Sequence, residues 1–374
     1  MVIYMKKMKM LGKIVLPTLL LFICYQSVYA SEPIPISAPE QLANIKDESY
    51  ILVADIVLPP DWTPIEIFSG ILDGQGHTIS GLSINNNPST SQGLFAKIEN
   101  ANISNVIIKD ASINITGKNE IKAGLLAGEA INCQISNISV SGSISSTDAG
   151  KYIGGLVGHI LGTPLTTNAN HISEFINSSS HVKITGAPGI TGGFAGKIEY
   201  TLTKNCVALG EVHGQGITGG FVGILLNNSR IIYSHAKGDI FSLGNQSAAG
   251  GFIGKITDTA SVEFSYSTGS VITSGSPEGA VGGFAGIISD IGAPNTLTHC
   301  VTFASWIVGE GEHVKRFAGR TDHNGINGCY AYLGSMVINK KAIAHVLPSA
   351  YGPDGADMST SQIEEITKLL KLND

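Results

Sequence analysis

"TGGFAGKI" at residues 191–198 returns as "TGGFVGIL" at 218–225 and as "AGGFIGKI" at 249–256. Near-identical octapeptides at a fixed period mark a structural unit that is laid down again and again. Aligned outward from these three, the unit also reads "GLFAK" (93–97), "GLLAG" (124–128), "GGLVG" (154–158), "GGFAG" (282–286) and a degenerate "KRFAG" (315–319), with successive copies ending 27 to 38 residues apart. One position is always large and apolar: Phe95, Leu126, Leu156, Phe194, Phe221, Phe252, Phe284 and Phe317. Such a column suits a solenoid, in which each coil buries its face only against its neighbours. The flanking glycines permit sharp bends and positive φ. A phosphate-binding glycine loop would occur once, between a strand and a helix; this one recurs with no helical pattern behind it.

A second motif falls between the copies: "NCVALGEV" (205–212), "YSHAKGDI" (233–240) and "FSYSTGSV" (264–271). Read down, it gives the column Cys133, Ser178, Cys206, Ser234, Ser265, Cys300, Cys329. Cys that exchanges with Ser in register behaves as a small packed side chain, whereas an exported chain with several Cys otherwise suggests a disulfide framework. Cys300 and Cys329 are the exception that leaves a bond open. They lie in consecutive repeats, one strand spacing of about 4.8 Å apart, within disulfide reach.

Composition agrees with many short strands. Gly accounts for 46 of 374 residues, charged residues for 14% and hydrophobic residues for 43%, too many for disorder. A net charge of −6 with Arg only at 230, 316 and 320 excludes the clustered basic face that nucleic-acid binding needs. The expected fold is all-β, a right-handed parallel β-helix (β-solenoid) of about eight coils with short capping helices at both ends. At the N-terminal end "SAPEQLANI" offers Ser37 as N-cap with Glu40 three residues on. At the C-terminal end "STSQIEEITKLLK" places Ile363, Ile366, Leu369 and Leu370 at helical spacing behind Ser359 or Ser361. Two long insertions, 159–173 and 287–299, read as surface loops.

The first thirty residues read as an export signal. A basic "MVIYMKKMKMLGK", an apolar "IVLPTLLLFICY" and Val28-Tyr29-Ala30 follow in order, predicting cleavage after Ala30. The apolar run is shorter than the ~20 residues a membrane-spanning helix needs, and no later segment reaches that length. The chain therefore divides into a signal peptide (1–30), an N-terminal cap with the first coils (31–92), the repeats (93–345) and a C-terminal capping segment (346–374). The expected location is secreted or cell-surface, with the periplasm as an alternative.

The opening "ISAPEQLANI", the stretches "FSGILDGQGHTISGLSI" and "GLFAKIENANISNVIIKDASI", the "GGFVG" and "NCVALGEVHG" repeats and the closing "GADMSTSQIEEI" together resemble bacterial GLUG-motif proteins. The resemblance implies a secreted or surface β-helix of the kind found in adhesins, biofilm-related proteins and the non-catalytic regions of immunoglobulin A peptidases. It brings no catalytic residues. This chain departs from the pattern in its short length and in Lys315-Arg316 replacing Gly-Gly.

Chemistry is sparse. His-Glu-x-x-His, which would place two zinc ligands and a base on one helix face, is missing, and the ten His are scattered, mostly at repeat turns. A β-helical polysaccharide lyase or hydrolase would need clustered carboxylates. The nearest candidates are Asp73 in "DGQGH", first of all a turn signature, and Asp354 with Asp357 in "YGPDGAD". The sequence therefore assigns no catalytic, cofactor or metal residue. Tyr233, Tyr266, Trp306, Tyr330 and Tyr332 flank the small-residue column, where they either stack on sugars or cover the solenoid edge. The function expected is non-enzymatic adhesion to glycan or to a host or surface protein, with a polysaccharide-degrading enzyme as the alternative.

Overall fold

The coil from Thr201 to Leu226 shows the plan of the molecule. In the computed structural model its strands are Thr201–Lys204 in sheet 1, Val207–Ala208 and Val212–Gly214 in sheet 2, Ile217–Gly219 in sheet 3, and Val222–Leu226 in sheet 4. Each pairs in parallel with its counterparts in the coils before and after. Lys204 sits between Ile176 and Ile232, Gly219 between Gly192 and Gly250, and Val222 between Ala195 and Ile253. The structure describes residues 32–374 apart from 86–87, 117–119, 148–149, 165–172, 245–247, 275–278, 290–295, 323–324, 333–335, 340–353 and 359–374. Among the described residues sheet 1 has eleven strands, sheet 3 eight and sheet 4 nine. The chain is a parallel β-solenoid of about eight turns.

Sheet 2 changes along the axis. It is one long strand per coil at Ile107–Ile115, Ser139–Ser146 and Ser179–Ala187. In later coils it breaks in two at a glycine: a Cβ on Gly210 would lie 1.9 Å from the Val182 carbonyl oxygen.

The corner between sheets 1 and 2 is made by left-handed residues. Asn105, Asn137, Asn177, Asn205, Tyr233, Phe264 and His299 all have φ between 48° and 56°. Asn tolerates this region best among residues with a Cβ. Two of the side-chain amides also brace a neighbour: Asn137 Nδ2 donates to Asn105 Oδ1 at 3.0 Å and Asn205 Nδ2 to Asn177 Oδ1 at 3.1 Å. The motif glycines have a different role from the one expected. None of Gly192, Gly193, Gly219, Gly220, Gly250 or Gly251 is among the positive-φ residues. They are glycines because the coils touch backbone to backbone there. A Cβ on Gly193 would meet the Gly220 oxygen at 2.2 Å, and one on Gly220 the Gly251 oxygen at 2.1 Å.

Directly after each left-handed residue the next side chain turns inward, giving the column Ser178, Cys206, Ser234, Ser265, Cys300, Cys329. Its chemistry explains the Cys/Ser exchange. Ser234 Oγ and Ser265 Oγ donate to carbonyls two residues back, Ile232 at 3.1 Å and Glu263 at 2.9 Å, and Cys206 Sγ does the same to Lys204 at 3.3 Å. The Ser234 oxygen in turn accepts the N–H of Cys206 at 3.1 Å from the coil above.

Cys133 does not belong to this column. It follows left-handed Asn132 at the opposite end of sheet 1, between Ala101, whose carbonyl accepts the Gln134 N–H at 2.9 Å, and Ser173, whose Oγ accepts the Cys133 N–H at 3.3 Å. Both corners of sheet 1 spell Asn followed by an inward residue, so a linear alignment merges them. Above Ser178 the true column continues as Ile138 and Val106. Among the described residues the four cysteines are buried and free of disulfides, Cys300 and Cys329 included.

At the corner of sheets 3 and 4 the large column stacks as the repeat implies. Phe194, Phe221, Phe252, Phe284 and Phe317 are fully buried, with successive ring centroids 4.7, 4.8, 4.9 and 5.1 Å apart and planes within 7° of parallel. Burial of each such ring stabilises the fold by roughly 1.5–3 kcal/mol.

The N-terminal cap is smaller than expected. A single helical turn, Pro39–Leu42, starts from Ala38 rather than Ser37. Gln41, not Glu40, reaches back to the N–H groups of Ser37 and Ala38 at 2.8 and 3.1 Å. Pro39 at the first helical position shifts the start by one residue, and the turn buries Leu42 and Ile45 in the core. The expected C-terminal helix lies outside the described residues, as does the signal segment. The last described piece, Ala356–Met358, adds a strand beside Tyr330–Tyr332. The two insertions are shorter than the sequence suggests, because Val157–Leu161, Ala285–Ile288 and Thr296–Thr298 are strands of the stack.

Candidate functional site

The outer face of sheet 2 changes character halfway along the solenoid. One outward ladder runs through Asn85, Asn114, Ser145 and Thr185; beyond a register irregularity between Ile184 and Ala187, a second runs through His213, Phe241, Ile272 and Val308. The first is a chain of hydrogen bonds: Asn85 Nδ2 to Asp61 Oδ1 at 3.0 Å, Asn114 Nδ2 to Asn85 Oδ1 at 2.7 Å, and Ser145 Oγ to Asn114 Oδ1 at 2.6 Å. The second is apolar from Phe241 on. A neighbouring outward ladder makes the same change, running from Ser139 and Ser179 into Val207, His235, Tyr266, Val301 and Tyr330. On and beside the apolar half stand Leu243 at 59% exposure, Tyr233 at 46%, Trp306 at 44% and Tyr332 at 37%.

The rings of this half mostly face one another. Tyr233 stacks on Phe264 at 5.3 Å and 19°, and Phe264 on His299 at 5.0 Å and 1°. His235 stacks on Tyr266 at 4.6 Å and 14°, and Tyr266, which is buried, meets Phe303 edge-on. Coil spacing produces this arrangement, because rings in register along a parallel ladder lie about one strand spacing apart. Their faces are used up between coils and their edges look outward. The His235 imidazole stays neutral: burial, with Lys237 nearby, pushes it down to about 4. Of the aromatic residues singled out from the sequence, the structure thus sets Tyr266 and Tyr330 in one ladder, Tyr233 at the corner, and Trp306 and Tyr332 on exposed strand ends.

The acidic candidates are dispersed. Asp73 heads the corner Asn ladder, accepting from Asn105 Nδ2 and the Gln75 N–H, both at 2.9 Å. Burial raises its pKa, but these hydrogen bonds outweigh it and hold the carboxyl below its ordinary value. Asp73 thus serves as a hydrogen-bonded turn residue at the head of the corner. Asp354 lies at the other end of the molecule, buried, with its pKa raised by that burial against the pull of Lys315 and Arg316. Those two cations occupy the degenerate repeat, so the loss of Gly-Gly coincides with a charge partner for Asp354. Asp357 lies on the strand beside Ala331.

One part-buried polar cluster escapes sequence reasoning. His159, treated there as a turn or loop residue, lies on Val157–Leu161 and is 8% exposed. Its Nδ1 is 3.1 Å from Glu129 Oε1 and its Nε2 2.9 Å from Glu199 Oε1. Lys122 pairs with Glu129, Lys197 with Glu199, and Asn227 Nδ2 donates to Glu199 Oε2 at 2.7 Å. Burial disfavours the imidazolium, yet the two carboxylates outweigh it and raise the His159 pKa. The His159 hydrogen bond above all, then Lys122, holds Glu129 at about 2. Burial pulls Glu199 upward, but His159 and Lys197 bring it to about 2 as well. The imidazole bridges the two carboxylates, one at each ring nitrogen, and all three side chains are satisfied by one another and by Lys122, Lys197 and Asn227. The cluster clamps coils. Part of its signal is in the repeat, because the residue after the motif glycine reads Glu129, His159 and Lys197 in three successive coils, with Lys97 one coil earlier in the same ladder.

Among the described residues no three His, Cys, Asp or Glu side chains come together as a metal site, and no helix is long and apolar enough to cross a membrane.

No protein-family model matches the chain. An alignment of 162 residues that covers 38% of the chain is 32% identical to Halomucin from Haloquadratum walsbyi (strain DSM 16790 / HBSQ001). The chain spans 2% of the length of that relative. A crystal structure of a candidate immunoglobulin A1 protease from Bacteroides ovatus is 14% identical, with a TM-score of 0.49 over 93% of this chain and 91% of that one.

Proposed function

We propose that the protein is a non-enzymatic, exported β-solenoid displayed outside the cell, which adheres to another protein through the apolar half of sheet 2. The observation that carries this reading is the change on the outer face of sheet 2 from Asn114, Ser145 and Thr185 before the register irregularity to Phe241, Ile272 and Val308 after it. The fold does not require it, since the same backbone accepts amides and hydroxyls in earlier coils. An apolar centre with a Trp and Tyr at its margin has the composition of a protein-binding patch. Sugar stacking needs free ring faces, and most rings here spend theirs on each other. The resemblance of the repeats to the GLUG motif supports a surface location.

Binding of the labelled protein to intact cells of its source organism, to the same cells shaved with protease, and to a glycan array tests the proposal. Cell binding should vanish on shaving and fall at least tenfold in a Leu243→Asp, Trp306→Asp double variant that keeps its β-sheet circular dichroism. Retention on shaved cells together with array hits unaffected by the variant would point to glycan instead. Polysaccharide cleavage lost in Asp73→Ala would restore the enzyme reading.

A further inference from the structure

Two of the four buried cysteines are neighbours in one column. Cys206 has Ser178 and Ser234 on either side and Cys133 has Ala101 and Ser173, but Cys300 and Cys329 occupy consecutive coils. Val301 pairs with Tyr330, Thr302 with Ala331, and the Tyr330 N–H donates to the Cys300 carbonyl at 2.9 Å. The two Cα atoms therefore lie one strand spacing apart, about 4.8 Å, inside the roughly 4.4–6.8 Å that a disulfide spans. The Cys329 thiol already reaches into the coil of Cys300, 3.3 Å from the Leu297 carbonyl oxygen. Cβ atoms stacked at strand spacing sit slightly wider than the ~3.5–4.5 Å of a disulfide, so one rung must close by a few tenths of an ångström. The rung of Cys329 is well placed to do so. Among the described residues sheet 1 ends at Ile326–Asn327 and sheet 3 ends at Val314–Lys315. Among the described residues only Ala356–Met358 lies beyond the Cys329 rung, where the Ala356 N–H donates to the Cys329 carbonyl at 3.1 Å. A full coil thus flanks this rung on one side and a three-residue strand on the other, so it opens more readily than a rung inside the stack.

We propose that Cys300 and Cys329 are an oxidative cross-linking site that staples the last rung of sheet 1 to the one before it. The oxidant is a small disulfide such as oxidised glutathione. One cysteine thiolate attacks it and releases a glutathione thiolate, which takes up the proton. The second cysteine thiolate then displaces the remaining glutathione, and the S–S bond joins the coils as a second reduced glutathione leaves. Burial holds the Cys300 thiol well above its ordinary range, so exchange proceeds as the end rung opens.

The full chain, treated with oxidised glutathione, alkylated under denaturing conditions and digested, reports the bond by mass spectrometry. A linked pair of peptides carrying Cys300 and Cys329, two hydrogens lighter than their sum, is expected, with Cys133 and Cys206 alkylated. Amide exchange across Ile326–Tyr332 should slow about tenfold relative to the reduced protein. Cys329→Ser, which puts into the column a residue it already accepts three times, should remove both changes. Complete alkylation of Cys300 and Cys329, a bridge to Cys133 or Cys206 instead, or unchanged exchange across the rung would overturn the proposal.

Discussion

At the scale of one residue, Cys206 shows how the solenoid treats an inward position. It is fully buried, and burial pushes its thiol up to about 12, so it is chemically inert at neutral pH. Its Sγ is a weak donor to Lys204 and to Phe175 of the coil above, at 3.3 and 3.4 Å, the first being the bond that Ser178, Ser234 and Ser265 make with a hydroxyl. Cys206→Ser should therefore change stability by less than about 0.5 kcal/mol, whereas Cys206→Leu should overpack the corner and cost roughly 1–3 kcal/mol. Chemical denaturation of the three proteins measures both. A large loss with Ser would mean that the site relies on sulfur.

Strands and sheets set the next scale, where the His159 cluster ties successive strands of sheet 4. Its pH dependence follows from the two kinds of shift. The His159 pKa is raised above 6.5 in the folded chain, so its contribution is complete below about pH 6.5 and is lost as pH climbs through the folded value. Glu129 and Glu199 fall from 4.5 to about 2, so their contribution is present above pH 4.5 and is lost as pH drops toward 2. The clamp is intact between pH 4.5 and 6.5. Thermal melts should show the wild type losing stability on the alkaline side of this window, and His159→Gln should flatten that limb. An equally steep alkaline limb in the variant would assign it to other groups.

Across the whole molecule, stability is a sum over neighbouring coils. Phe221 lies between Phe194 and Phe252, whereas Phe317 stacks on Phe284 alone, with Gly355 packed near its other side. Phe221→Ala should cost about 3–5 kcal/mol, the usual range for a buried aromatic, and Phe317→Ala clearly less. Denaturation midpoints compare the two. Equal costs would mean that the end is packed as tightly as the middle.

The repeat by itself determined the solenoid, the Phe and Leu column and the interchange of Cys with Ser, because these rest on periodicity and on side-chain size, both written along the chain. It could not separate the two corners of sheet 1, since Asn132-Cys133 and Asn177-Ser178 are the same local chemistry at different places in one coil. Nor could it say why the motif glycines are needed, because the backbone that excludes a Cβ at Gly193 belongs to Gly220, a full coil away. Residues brought together by stacking carry the same limit. Glu129, His159 and Glu199 are 30 and 40 residues apart and meet only through the register of three coils. The outward ring faces that made Tyr233 and Tyr266 look like sugar platforms are covered by Phe264 and His235 from neighbouring coils. In a parallel ladder each residue's nearest neighbour is one period away, so tertiary stacking alone decides what its side chain touches.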